Sequence, residues 1–183
     1  MKPILLLLIA FISTTVFSQP KGTPSVGDER IDFSLSTVQG NEIQLSELND
    51  ENPVVLVVLR GWPGYQCPLC TRQVGGLVEA AAELAKHDAK ILMVYPGPSE
   101  QLQEHAREFS EEFDFPENFY FALDPDYEMI NIYGLRWNAP KETAYPSTFV
   151  IDKTGKVVYA KISQTHGDRA VMDEIFEAFD SNK

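Results

Sequence analysis

The sequence predicts a three-layer α/β/α sandwich, with a central, largely parallel sheet and helices on both faces. Three observations predict it. Val54 to Leu59 and Ala89 to Tyr95 are continuous, mostly β-branched or aliphatic runs, the pattern of strands buried on both faces. Each is followed by a stretch of helical period, and that alternation implies parallel strands joined by crossover helices. Two short apolar runs around Asp152-Lys153-Thr154-Gly155 then add a closing antiparallel hairpin.

The elements follow in chain order. Ile4 to Ile12 is an unbroken apolar run after Met1-Lys2, too short to span a bilayer and suited to a secretory h-region. With Val16 and Ser18 at the small-residue positions of a cleavage site, residues 1–18 read as a signal peptide. A retained short anchor is the competing reading. Residues 19–24 are a Pro/Gly linker, and residues 25–183 form one domain working outside the cytoplasm, periplasmic or secreted. Asp32-Phe33-Ser34-Leu35, Gln39-Gly40-Asn41 and Ile43-Gln44-Leu45 read as an N-terminal β-hairpin, after which Ser46 caps a short helical turn.

The first buried strand ends in a Gly/Pro loop, and a helix is expected from Cys67 to about Lys86, kinked at Gly75-Gly76. After the second strand, Ser99 caps a helix that aligns Leu102, Ala106, Phe109 and Phe113. Phe119 to Leu123 is a third strand. Asp124-Pro125 opens a short helix stopped by Gly134, Thr148–Ile151 and Val157–Ile162 form the closing hairpin, and Val171, Met172, Ile175, Phe176 and Phe179 line a terminal helix.

Composition mainly excludes. The 183 residues carry 27 Asp+Glu against 15 Lys+Arg, a net charge of −12. That balance disfavours nucleic acid and anionic membrane surfaces, both of which select clustered Lys and Arg. Two cysteines are too few for a disulfide-stapled mini-domain or a four-cysteine zinc site.

Those two cysteines carry the chemistry. Cys67-Pro68-Leu69-Cys70 lies between a buried strand and a helix, outside the carboxyl end of the strand, where sites in such sheets form. The i, i+3 spacing puts both sulfurs on one helix face, close enough to bond. Cys67 sits at the helix N-terminus, where free N–H groups favour a thiolate, the nucleophile of thiol–disulfide exchange. Cys70, one turn in, is the shielded resolving thiol. A purely structural staple is the weaker alternative, because so short a loop recovers little chain entropy. A two-sulfur metal site would need further ligands.

The chain resembles the thioredoxin-like superfamily, and within it the alkyl hydroperoxide reductase/thiol-specific antioxidant branch of peroxiredoxin-like redoxins. The resemblance spans about Ser25 to Phe179. It is carried by Val26-Gly27-Asp28, Asp32-Phe33-Ser34-Leu35, Gly40, Leu45-Ser46-Glu47-Leu48, the Cys67–Cys70 motif, Tyr133-Gly134, Pro146-Ser147-Thr148-Phe149-Val150-Ile151-Asp152 and Gly155. It implies a thioredoxin-like fold, a redox-active Cys67–Cys70 disulfide, and Pro146 as a cis-proline facing it, leaving the Tyr145 backbone free for an extended partner chain. It implies thiol or disulfide proteins or small thiols as partners, hydroperoxide as an alternative substrate, and no cofactor. The chain departs from the peroxiredoxin pattern in having Arg60 at the Pro place, Gly64 at the Thr/Ser place, and Pro146 where many members have Arg.

Softer candidates surround the motif. Arg60, at a strand end near Cys67, is a candidate thiolate stabiliser or a side chain reaching water, with Arg136 and Arg169 as alternative cations. Trp62, Tyr65, Tyr95 and Tyr145 fall in loops at one end of the sheet, as a partner-binding rim or as loop packing. His87 and His105 read as helix-surface residues, and His166 as a base or a helix-start residue. Three functions compete: a thiol-disulfide oxidoreductase, a peroxidase with Cys67 peroxidatic and Cys70 resolving, and a copper carrier using Cys67, Cys70 and His166.

Overall fold

The computed structural model describes residues 22–182, so the expected signal peptide and the first half of the linker lie outside the described residues. The elements are β1 (Ser34–Thr37), β2 (Glu42–Gln44), α1 (Leu45–Leu48), β3 (Val54–Val58), α2 (Pro68–Glu79), α3 (Ala81–Ala85), β4 (Lys90–Gly97), α4 (Leu102–Ser110), β5 (Phe119–Pro125), α5 (Glu128–Ile132), β6 (Ser147–Ile151), β7 (Val157–Ile162) and α6 (Met172–Asp180). One seven-stranded sheet runs β2-β1-β5-β4-β3-β6-β7. Only its centre is parallel: β3 pairs β4 and β4 pairs β5 in parallel, while β1 joins β5 and β6 joins β3 antiparallel.

β3 is buried along its whole length, and its alternate side chains feed two cores. Val55 and Val57 meet Cys70, Val74, Leu77, Phe109 and Ile175 on the α2/α4/α6 face. Val54, Leu56 and Val58 meet Leu45, Met129, Tyr133 and Phe149 on the other. This two-faced burial is why the strands read as continuous apolar runs. Among the described residues no helix is long and apolar enough to cross a membrane.

Several local expectations are corrected. The α2–α3 segment breaks at Ala80 (φ −88°, ψ 4°), not at Gly75-Gly76, which continue the helix. Ser46 does not cap α1: its N–H and hydroxyl both donate to the Asp32 carboxylate (2.8 and 2.7 Å). Ser99 is not the N-cap of α4, which begins after Gln101 in a left-handed conformation. Asp124-Pro125 do not open α5 but end β5; α5 begins after Tyr127, itself in a left-handed conformation, and the buried Asp124 carboxylate accepts the Met129 and Ile130 N–H groups at 2.9 and 3.0 Å.

Pro146 is also corrected. Among the described residues no peptide bond is cis, so the Tyr145–Pro146 bond is trans. The chain enters β6 extended: the Tyr145 N–H donates to the Leu135 carbonyl (2.8 Å), and the Pro146 carbonyl accepts the Ser163 N–H (2.9 Å). The Tyr145 amide is therefore engaged within the chain, not free for a partner.

Candidate active site

The thiol pair sits past the carboxyl end of β3. Leaving Leu59, the chain turns through Gly61 at φ +70°, where a Cβ would lie 1.9 Å from the Pro96 carbonyl oxygen. Only glycine fits so close an approach of two backbones. Trp62 N–H then donates to that same carbonyl (2.9 Å), fastening the loop to β4 just before the motif. Cys67 is the extended N-cap of α2 and Pro68 opens the helix, a place where proline's missing N–H costs nothing.

Both cysteines are buried and free, at 4% and 0% exposure, so the expected disulfide is not formed here and the pair is a dithiol. Their acidities are split. The Cys70 thiol donates to the Cys67 sulfur and, against the opposing effect of burial, lowers the Cys67 pKa to about 5. The backbone N–H groups of Cys70 and Leu69 and the charge of Arg169 act in the same direction. Burial and the neighbouring Cys67 push Cys70 well above the ordinary thiol range. At neutral pH the site therefore holds one thiolate and one thiol that donates to it.

The cation at the sulfurs is Arg169, not Arg60. Arg169 Nη2 lies 3.8 Å from Cys67 Sγ and 3.5 Å from Cys70 Sγ. Its Nη1 donates to Gln73 Oε1 (2.5 Å) and its Nε to the His166 carbonyl (3.0 Å). Gln73, one turn beyond Cys70 on α2, also donates to Thr148 of β6 (3.3 Å). Arg60 is buried, and its side chain is spent on the Glu142 carboxylate (2.7 Å), the Lys141 carbonyl (2.7 Å) and the Tyr65 hydroxyl. Only its backbone N–H bears on the pair, favouring ionised Cys70. Arg136 folds onto its own loop, donating to the carbonyls of Trp137, Glu142 and Thr143 and lying over the Tyr127 ring.

The expected aromatic rim is dispersed. Trp62 stacks on His105 (3.5 Å between centroids), Tyr145 stacks on Trp137 (4.7 Å), and Tyr95 is buried with its hydroxyl donating to Gln66. Tyr65, 44% exposed beside Arg60, is the one that faces outward. His87 stacks on Phe179 of α6. His166 turns Nε2 to Glu142 (3.0 Å), so the copper set of Cys67, Cys70 and His166 is not assembled. Among the described residues no group of three or more His, Cys, Asp and Glu side chains is arranged to hold a metal. Glu142 and Gln73 escaped the sequence reading because neither carries a motif, and Glu142 meets a partner 82 positions away.

A thiolate at a helix start, a donating second thiol and a guanidinium over both are the groups that two-electron thiol–disulfide exchange requires. Residues 26–160 match the AhpC/TSA family. The chain belongs to that family. It is 30% identical over 157 residues to the thiol-disulfide oxidoreductase ResA of Geobacillus thermodenitrificans, covering 84% of this chain and 80% of that one. It is 27% identical over 141 residues to the peroxiredoxin Bcp of Bacillus subtilis, covering 74% and 83%. Among solved structures, peroxidoxin BcpB from Mycobacterium tuberculosis superposes with a TM-score of 0.65 at 24% identity over 86% of this chain and 96% of that one. A thiol:disulfide interchange protein of the DsbE type from Chlorobium tepidum gives 0.64 at 22%, over 86% and 99%. This AhpC/TSA-family protein has a thioredoxin-like fold and is a thiol-based oxidoreductase.

Proposed function

We propose that this AhpC/TSA-family protein is an exported thiol-disulfide oxidoreductase in which residues 25–183 form the redox domain and Cys67 and Cys70 cycle between dithiol and disulfide. Its partners are thiol or disulfide proteins or small thiols outside the cytoplasm. The observation that carries the reading is the geometry of the pair: Cys67 is the N-cap residue of α2, Cys70 is fully buried one turn in, and Arg169 Nη2 lies 3.8 and 3.5 Å from their sulfurs, which makes Cys67 the more acidic thiol.

In the forward half-cycle Cys67 S⁻ attacks one sulfur of a partner disulfide. A Cys67–partner S–S bond forms, the partner S–S bond breaks, and its second sulfur leaves as a thiolate. Cys70 then gives its proton to the partner thiolate freed in the first step and attacks the Cys67 sulfur, releasing the other partner sulfur as a thiolate that takes a proton from water. The protein ends as a Cys67–Cys70 disulfide and the partner as two thiols, a transfer of two electrons. Run backwards, the same steps oxidise a partner dithiol. Arg169 stabilises the negative sulfur in either direction.

Arg169 also favours a second reading. A guanidinium beside Cys67 is suited to orient a hydroperoxide, whose O–O bond the thiolate breaks to give Cys67–SOH and an alkoxide that takes a proton. Cys70 would then condense with the sulfenic acid and release water. Against this stands Gly64, which offers no hydroxyl at the Thr/Ser place of the peroxiredoxin pattern.

The Cys70→Ser variant separates the two. Exchange chemistry leaves it trapped as a mixed disulfide with a disulfide-bearing partner, and peroxide consumption stays slow. Rapid, stoichiometric sulfenic acid on Cys67 at micromolar hydroperoxide, captured by a dimedone-type probe, would overturn the first reading in favour of the second.

A further inference from the structure

Arg169 needs holding. A long, freely rotating side chain gives up rotamer freedom when fixed in one place, so its anchors decide whether its charge stays on the sulfurs. One anchor is Gln73 on the rigid α2, at 2.5 Å. The other is the carbonyl of His166, which belongs to the loop between β7 and α6 and accepts Arg169 Nε at 3.0 Å. That loop is fastened at its start, where Ser163 N–H donates to the Pro146 carbonyl (2.9 Å) and its hydroxyl to the Asp168 carbonyl.

At its middle the loop is fastened by Lys161 of β7, whose Nζ lies 3.4 Å from Asp168 Oδ1, and by Glu142. His166 Nε2 meets Glu142 Oε1 at 3.0 Å, while Glu142 Oε2 accepts Arg60 Nε at 2.7 Å. The Arg60 and Glu142 side chains are 3% and 11% exposed, and that of His166 is 40% exposed. The carboxylate is thus divided: one oxygen is locked to a buried cation at the end of β3, the other grips a half-exposed residue of the loop. Trp137, stacked on Tyr145, closes against the His166 ring at 5.1 Å.

We propose that Glu142 is a positioning residue, which by gripping His166 holds the loop that keeps the Arg169 guanidinium over Cys67 and Cys70. This rests on the dithiol reading of the site. The sign of its effect is distinctive. A carboxylate acting directly on the thiolate would repel it, so removing Glu142 would make Cys67 more acidic, all the more with Arg60 left unpaired. A positioning carboxylate does the reverse: without it Arg169 swings away and Cys67 becomes less acidic.

The experiment is an absorbance titration of the Cys67 thiolate on the reduced full chain, with His166→Ala, His166→Gln, Glu142→Gln, Arg169→Met and the double variant His166→Ala/Arg169→Met. The groups bearing on that titration are Cys70 on α2, Arg169 on the loop and Tyr95 on β4. His166→Ala is expected to raise the midpoint by about 0.5–1 unit. His166→Gln, whose amide N–H reaches the same carboxylate, restores it. In the Arg169→Met background His166→Ala should add nothing, the non-additivity of a residue acting through another. An unchanged or lowered midpoint in His166→Ala, or full additivity, overturns the proposal. His166→Ala keeps the test alive if Glu142→Gln does not fold, because His166 is half-exposed. A wild-type midpoint at the free-thiol value would instead sink the dithiol reading itself.

Discussion

Replacing Arg169 by Met removes the guanidinium and keeps the length and apolar bulk of its stem. Nη2 lies 3.8 Å from the Cys67 sulfur. At an effective dielectric of about 20, two unit charges about 4 Å apart interact by about 4 kcal/mol, and one pKa unit is about 1.4 kcal/mol. Arg169 is only half-buried, so water weakens this, and the expected rise in the Cys67 midpoint is about 1–2 units. The midpoint should therefore leave its value of about 5 yet stop short of a free thiol, because the Cys70 donor, the larger influence, is untouched.

The assay must read the midpoint itself. At pH 6 a rise of about 1.5 units cuts the thiolate fraction about fourfold, but a more basic thiolate is about fivefold more nucleophilic, so an alkylation rate at one pH would barely move. Thiolate absorbance followed from pH 3 to 9 on the reduced protein, with Cys67→Ser as the blank, avoids that cancellation. An unchanged midpoint would make Arg169 a solvated bystander at the sulfurs. A lowered one would contradict the electrostatic argument outright.

Three further outcomes are expected. Asp124→Ala should cost about 1–2 kcal/mol in urea unfolding, because the Met129 and Ile130 N–H groups lose the carboxylate that caps them. Gly76→Ala should stabilise by up to about 1 kcal/mol, since the position is helical and an added Cβ meets nothing within 4 Å; a destabilised variant would show that the open space there is needed. Finally, the reduced protein should gain stability over the oxidised one as pH rises. Cys67 is depressed to about 5 when folded, so its contribution is complete above the unfolded thiol value of about 8.5 and is lost as pH falls through the folded one, at most about 1.4 kcal/mol per pH unit. Asp124, raised by burial to about 6, acts oppositely below that pH, but equally in both redox states. The reduced-minus-oxidised difference in unfolding free energy between about pH 5 and 7.5, below the range where unfolded Cys70 ionises and the raised Cys70 pKa begins to act oppositely, isolates the thiolate, and a flat difference would refute its depressed pKa.

The layers, the sheet centre and the thiol pair were legible because each rests on a local pattern. Val54 to Leu59 reads as a doubly buried strand from its own residues, and Cys67-Pro68-Leu69-Cys70 announces a helix start with two thiols one turn apart. What failed was finer. Gly75-Gly76 looked like the weak point of the helix, yet packing of Val74 and Leu77 in the α2/α4/α6 core carries the helix through them, and it breaks at Ala80. Arg60 looked like the natural thiolate partner because it is close in sequence, but a buried guanidinium takes the carboxylate that can neutralise it, and Glu142 was there.

The choice of Arg169 over Arg60 follows from sheet register. Val58 at the end of β3 pairs with Ser147 at the start of β6, and Ser147 pairs with Ile162 at the end of β7. One row of the sheet thus delivers three chain ends to the same rim: the Arg60 loop leaving β3, the Glu142–Tyr145 segment entering β6, and the loop leaving β7 that carries His166 and Arg169. The antiparallel β6–β7 pairing, closed by the Asp152–Gly155 turn, determines which residues arrive there. A cation more than a hundred residues from Cys67 along the chain reaches its sulfur because two hairpin strands are in register. Shifting that register by one residue would turn the site's supports to the opposite face and leave Cys67 with only its helix and Cys70.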